Sequence, residues 1–167
     1  MPDPFRLRVQ VALGAKLEEI TTTLDALSMA GRVFRGRTVF GPEDPLPMIS
    51  ILEEPIQEDS VESPTTGPEV LTRYRLMIQG FVADDPINPT DPAHYLMADV
   101  LAKLWEIKES GGETQRLFAF GPKANTVTGI DFGPGVVRPP DGEISEKAYF
   151  WLSVSFDLAE RLDDPFA

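Results

Sequence analysis

The sequence predicts an α+β fold in two layers: an antiparallel or mixed β-sheet, two main helices packed on one face, and a single domain. Three observations predict it. Residues 91–108 carry a clean amphipathic helix pattern. Residues 73–83 and 147–158 alternate apolar and polar side chains, the period of a strand with one buried face. No linker divides the 167 residues into two units. A chain of this size buries roughly 68–70% of its unfolded surface, so it needs no crosslink to fold.

Taken in order, Asp3 and Pro4 suit the cap and first turn of a helix. Phe5, Val9, Ala12, Leu13, Leu17 and Ile20 then recur at helical spacing, which predicts a helix over 4–22. Residues 5–11 also alternate, so a strand is the competing reading. The continuation from Ala12 to Ile20 without a turn signal favours the helix. Residues 29–40 read as extended but bent at Gly31 and Gly36, and residues 41–47 as a proline-rich loop. Met48–Leu52 is a short strand closed by Glu53-Glu54-Pro55. Residues 56–70 are polar, acidic and turn-rich, which predicts a long mobile loop between two strands.

In the strand at 73–83, Tyr74, Leu76, Ile78 and Val82 share one face. Arg73, Arg75, Met77, Gln79 and Phe81 share the other. Asp91 and Pro92 then open the second helix as cap and first turn. Its expected core stripe is Ala93, Leu96, Met97, Val100, Leu101, Leu104 and Trp105, and Gly111-Gly112 ends it. Residues 126–132 and 136–137 read as two strands about a turn at Gly133-Pro134-Gly135. In the last strand Ala148, Phe150, Leu152, Val154, Phe156 and Leu158 alternate with Tyr149, Trp151, Ser153, Ser155 and Asp157. Residues 159–167 read as an acidic tail.

The formal net charge is −12. Such a chain gains no counterion-release affinity for DNA unless its cations are segregated, and here they are only partly so. Its surface stays soluble and repels polyanions. This fits a wall that DNA passes without sticking, but from composition ordinary solubility charge is the favoured reading. With no cysteine, disulfides are excluded, which suits a reducing cytoplasm. No stretch approaches the roughly 18 uninterrupted apolar residues of a membrane span. The first residues lack the apolar core of a signal peptide, so a start in the cytoplasm is expected.

The residues supply little for chemistry. The single histidine, His94, lies near Asp84, Asp85 and Asp91, but at no established metal-ligand spacing, and it reads as a first-turn surface residue. Asp44, Glu53, Glu54, Glu58 and Asp59 read as solvated loop charge rather than paired catalytic carboxylates. Catalytic, metal and cofactor sites are therefore expected to be absent, and the chain is expected not to be an enzyme. The basic, glycine-bent stretch Gly31–Arg37 could face a phosphate, but it precedes no helix and matches no phosphate-loop pattern, which leaves two favoured readings. It is a bent edge whose arginines pair internally, or a subunit contact in which Arg35 and Arg37 meet a neighbour's acidic loop carrying Glu58 and Asp59. Tyr149 and Trp151 form an exposed aromatic binding patch if no helix covers their face.

The element order comes with three strings: Val33–Arg37, Asp44–Glu53 and Gly80–Pro86. Over residues 4–158 this resembles the tail terminator (tail completion) proteins of long-tailed bacteriophages. The resemblance implies a small α+β subunit that forms a homo-oligomeric ring, of six copies, at the head-proximal end of the tail tube. Such a ring stops tube polymerisation and offers a surface for head joining. The implied partners are other copies of the chain, the tail tube protein and a head-completion or neck protein. DNA would cross the lumen without specific binding, and no membrane is involved. The implied location is the host cytoplasm during assembly, then the virion. The family carries no catalytic residues. Its alternatives are a head–tail connector or neck protein and, from another class, a small metal- or ligand-binding enzyme centred on His94.

Overall fold

A computed structural model describes residues 2–55, 67–112, 116–120, 125–143 and 145–167. Helix α1 spans Phe5–Glu18. Phe5, Val9, Leu13 and Leu17 face inward and are buried, as their spacing dictates. Pro4 takes the N-cap position, and Asp3 makes no side-chain cap. The helix ends four residues before the predicted limit. The chain beyond it turns back, with the Met29 amide on the Ile20 carbonyl at 2.9 Å and an antiparallel bridge between Thr21 and Ser28.

Strand β1 covers Val33–Arg35, β2 Met48–Glu53 and β3 Glu69–Phe81. Helix α2 runs Asp91–Ser110, and strands β4 and β5 run Thr126–Arg138 and Tyr149–Arg161. Among the described residues the strands form one mixed sheet, ordered β1-β2-β3-β5-β4. Only the β1–β2 pair is parallel. Both helices lie on one face, so the fold is a two-layer α+β domain, as the periodicities predict. Among the described residues, no helix is long and apolar enough to cross a membrane.

The core lies between the layers. Leu13 and Leu17 of α1 and Val100 and Leu104 of α2 meet Ile49 and Ile51, Tyr74 to Ile78, and Phe150 to Leu158 at alternate positions. Each large apolar side chain buried there contributes about 1.5–3 kcal/mol before entropy is set against it. The two faces of β3 divide as read from sequence, with Tyr74, Leu76 and Ile78 inward.

Several boundaries move. β3 starts at Glu69, so the last residues of the expected loop belong to it. Glu69–Thr72 pair with Leu158–Arg161 of β5, which supplies the backbone partners that their turn-like neighbours hide. Residues 56–66 lie outside the described residues. For the same reason, the first three residues of the expected acidic tail are strand, and Glu160 is buried. The expected turn at 133–135 is a bulge inside β4. Pairing with β5 resumes at Gly135↔Leu152 after Phe132↔Val154, because the unbroken partner strand holds both halves in line.

On α2, Trp105 is not core. It is 54% exposed, and the buried stripe is Ala93, Leu96, Val100, Leu104 and Ile107. At 100° per residue Trp105 sits about 140° from Val100, the middle of that stripe, and Ile107 about 20° from it. Leu101 and Met97 are half-buried flanks. Thr90, not Asp91, is the N-cap residue, so Asp91 is the first residue of the helix and Pro92 the second.

Candidate interaction surfaces

The sheet face opposite the helices is where the structure departs most from expectation. β1 and β2 are parallel, so the chain between them must return along the sheet. Residues 36–47 make that return and lie over the β2–β3–β5 end of this face. Met48, Phe81 and Tyr149 are buried beneath it, with Phe34, Phe40, Leu46 and Trp151 packed around them. The rings are in contact: Phe40 and Phe81 centroids are 4.7 Å apart, and Tyr149 and Trp151 are 5.5 Å apart. Among the described residues no helix covers Tyr149 and Trp151, yet they are not an exposed pair. Tyr149 is fully buried, its hydroxyl donating to Asp141 Oδ2 at 2.9 Å, and Trp151 is half-buried. The indole N–H of Trp151 is enclosed without an acceptor among the described residues.

Arg37 holds this covering segment. Its guanidinium stacks over Phe34 and Phe40, 4.7 and 5.2 Å from the ring centroids, and pairs with Asp44 Oδ1 at 2.5 Å. The Gly41 amide donates to the other Asp44 oxygen at 2.7 Å. The Gly41 amide, and after it the Arg37 guanidinium, hold the Asp44 carboxyl below the usual carboxylate range. Ser50 Oγ donates to the Arg37 carbonyl at 2.6 Å. Arg37 therefore has the internal pairing that was one of its two readings. Arg35 points the other way. It is exposed beside Gly14 of α1 and makes no ion pair among the described residues. Glu58 and Asp59 lie outside the described residues.

Beyond Trp151 the same face is polar, with Arg73, Arg75, Ser153 and Ser155 half-buried. Arg73 pairs with Asp131 and reaches Asp157 at 3.7 Å, and Ser153 Oγ donates to Glu54 at 2.9 Å. Arg73, Arg75, Asp131, Glu54, Ser153 and Ser155 line a shallow cleft of about 290 Å³. It is a charge-patterned surface, with the β4 bulge at Gly133-Pro134 forming one wall. Sequence reasoning assigned Arg73 and Arg75 to a mixed face without seeing that the cover stops short of them. The apolar residues at 34, 40 and 46, set in a glycine- and proline-rich stretch, were the available signal for the cover.

His94 is exposed on the first turn of α2. Its acidic neighbours are engaged elsewhere: Asp84 accepts the Ala148 amide at 2.8 Å, and Asp85 accepts the Ile87 and Asn88 amides at 2.8 and 2.6 Å. Those two amides, Asn88 first, hold the Asp85 carboxyl below its ordinary range. No group of three acidic or histidine side chains converges as a metal site among the described residues. Neither the models of known protein families nor the curated proteins contain a match to this chain.

Proposed function

We propose that this chain is an assembly subunit of a long-tailed bacteriophage, a tail terminator whose copies close into a ring on the head-proximal end of the tail tube. The reading rests on the resemblance in element order and strings. One structural observation supports it furthest: the polar half of the sheet, where Arg73, Arg75, Asp131, Ser153 and Ser155 line a shallow cleft and Asp157 lies beside Arg73. A ring needs heterologous patches that meet head to tail and close. A charge-patterned strand face is suited to such a contact, because matched charges fix register more than they add affinity. A net charge of −12 per copy would line a lumen that DNA crosses without adhering.

Native mass spectrometry of the protein, alone and with a tail tube protein, tests the reading. The expected result is a closed ring of copies of the 18.4 kDa chain, six in number, formed alone or on the tube end. Electron microscopy of tails assembled without the protein should then show tubes of uncontrolled length. A species that stays monomeric at every concentration, with tube lengths indifferent to its presence, would overturn the proposal.

A further inference from the structure

A second cleft, of about 280 Å³, opens where four segments meet. They are the turn after α1, the end of the segment before β2, the segment leaving β3 and the first turns of α2. Its apolar walls come from Leu27, Leu46, Pro47, Val82 and Leu96. Its polar walls are four aspartates: Asp25, Asp84, Asp85 and Asp99. None of the four is ion-paired with a described cation. Three are fixed in place by donors. Asp84 and Asp85 take the backbone amides described above, and Asp99 accepts the Thr23 amide at 2.9 Å and its hydroxyl at 2.5 Å. Those bonds orient the carboxylates without cancelling their charge.

This combination selects its occupant. A purely apolar plug would strip water from uncompensated carboxylates, which is costly. A bare cation would leave the apolar walls unused. A lysine or arginine side chain satisfies both parts, with its methylene stem along the leucines and prolines and its charged head among the aspartates. We propose that this cleft receives an arginine or lysine side chain presented by a basic segment of a partner protein. The strongly negative chain would draw such a segment in from a distance. The inference does not depend on the ring, since it concerns a different surface and is read without assembly.

The probe is an acetylated, amidated tri-arginine peptide, titrated into ¹⁵N-labelled protein. Amide shifts should concentrate at Asp25, Leu27, Asp84, Leu96 and Asp99. The same peptide with citrulline for arginine keeps the shape and loses the charge, and should not bind. Asp25→Lys removes the aspartate that makes no hydrogen bond among the described residues, so the fold is spared. It should weaken binding about tenfold or more. Leu27→Asn should also weaken binding at unchanged charge. Glu109→Lys, the same charge reversal at the far end of α2, should change it little. Circular dichroism checks that each variant is folded. Shifts scattered over the surface, equal binding of the citrulline peptide, or equal losses from Glu109→Lys and Asp25→Lys would reduce the effect to diffuse attraction and overturn the proposal.

Discussion

Gly80 and Phe150 stand opposite each other across β3 and β5, and the glycine exists for the ring. A Cβ at position 80 would lie 2.1 Å from Phe150 Cε1 and 2.6 Å from Cζ. The Phe150 ring is fully buried and lies over the gap that the missing side chain leaves. Gly80→Ala should therefore destabilise by about 1–3 kcal/mol through overpacking, despite the better strand propensity of alanine. Denaturant melts read the loss. Adding Phe150→Leu should recover part of it, so the double-mutant cycle should show coupling of at least about 0.5 kcal/mol. Additive losses would mean that the two positions do not compete for space.

The outward turn of Trp105 gives a paired test on α2. Leu104 is fully buried in mid-helix, so Leu104→Ala should cost about 2–5 kcal/mol by leaving a cavity between helix and sheet. Trp105→Ala removes a larger side chain from solvent and should change stability by less than about 0.5 kcal/mol. Leu101, a half-buried flank, should fall between them. A Trp105→Ala loss equal to that of Leu104→Ala would put the tryptophan back in the core.

The contrast shows what could be read from the sequence. The periods of α1, α2, β3 and β5 come from side chains that face a single core, so the two layers and the helix-bearing face were legible. Trp105 failed because hydrophobicity is a poor guide at the edge of a stripe, where angle decides and Ile107 wins. β4 and the start of β3 failed because their backbone partners are distant in sequence. A bulge at Gly133-Pro134 and a turn there look the same until β5 is placed alongside. The cover over Tyr149 and Trp151 was hidden for a related reason. Its apolar residues at 40 and 46 follow no period, since an irregular segment buries whichever side chains its path allows. The aspartate-lined cleft is built from three connections and the first turns of α2, and has no local signature.

Tyr74 supplies a pH dependence. Its buried hydroxyl donates to Glu53 and accepts from Gln10 Nε2 at 2.7 Å. Burial first, and then the Glu53 carboxylate, push its ionisation well above the usual tyrosine range. The folded state then keeps a proton that the unfolded chain releases from about pH 10. The associated stability is complete below that pH and is lost as pH rises above it. Thermal melts between pH 8 and 11 should show the decline, and Tyr74→Phe should flatten it. Tyr149, raised by burial and then by Asp141, leaves a residual slope. Parallel declines for the wild type and Tyr74→Phe would exclude Tyr74 as a source.

Arg35 and Arg37 are two residues apart in sequence but have different surroundings, so reversing each alone separates fold from assembly. Arg37→Glu loses two aromatic contacts and places a carboxylate against Asp44. The cover over Phe81 and Tyr149 should loosen, at a cost of about 1–3 kcal/mol. Trp151, packed at the margin of that cover, should report the change in its fluorescence. Arg35 makes no ion pair among the described residues, so Arg35→Glu should leave the melt within about 0.5 kcal/mol of wild type. If the chain forms the proposed ring and Arg35 reaches an acidic patch of a neighbouring copy, the same reversal places like charges across the contact. Ring formation should then weaken in a folded subunit. Native mass spectrometry across a salt series reads that loss. An Arg35→Glu protein that forms rings and caps tubes as well as wild type removes Arg35 from the contact. An Arg37→Glu protein with unchanged melt and fluorescence would show that the arginine does not hold the cover.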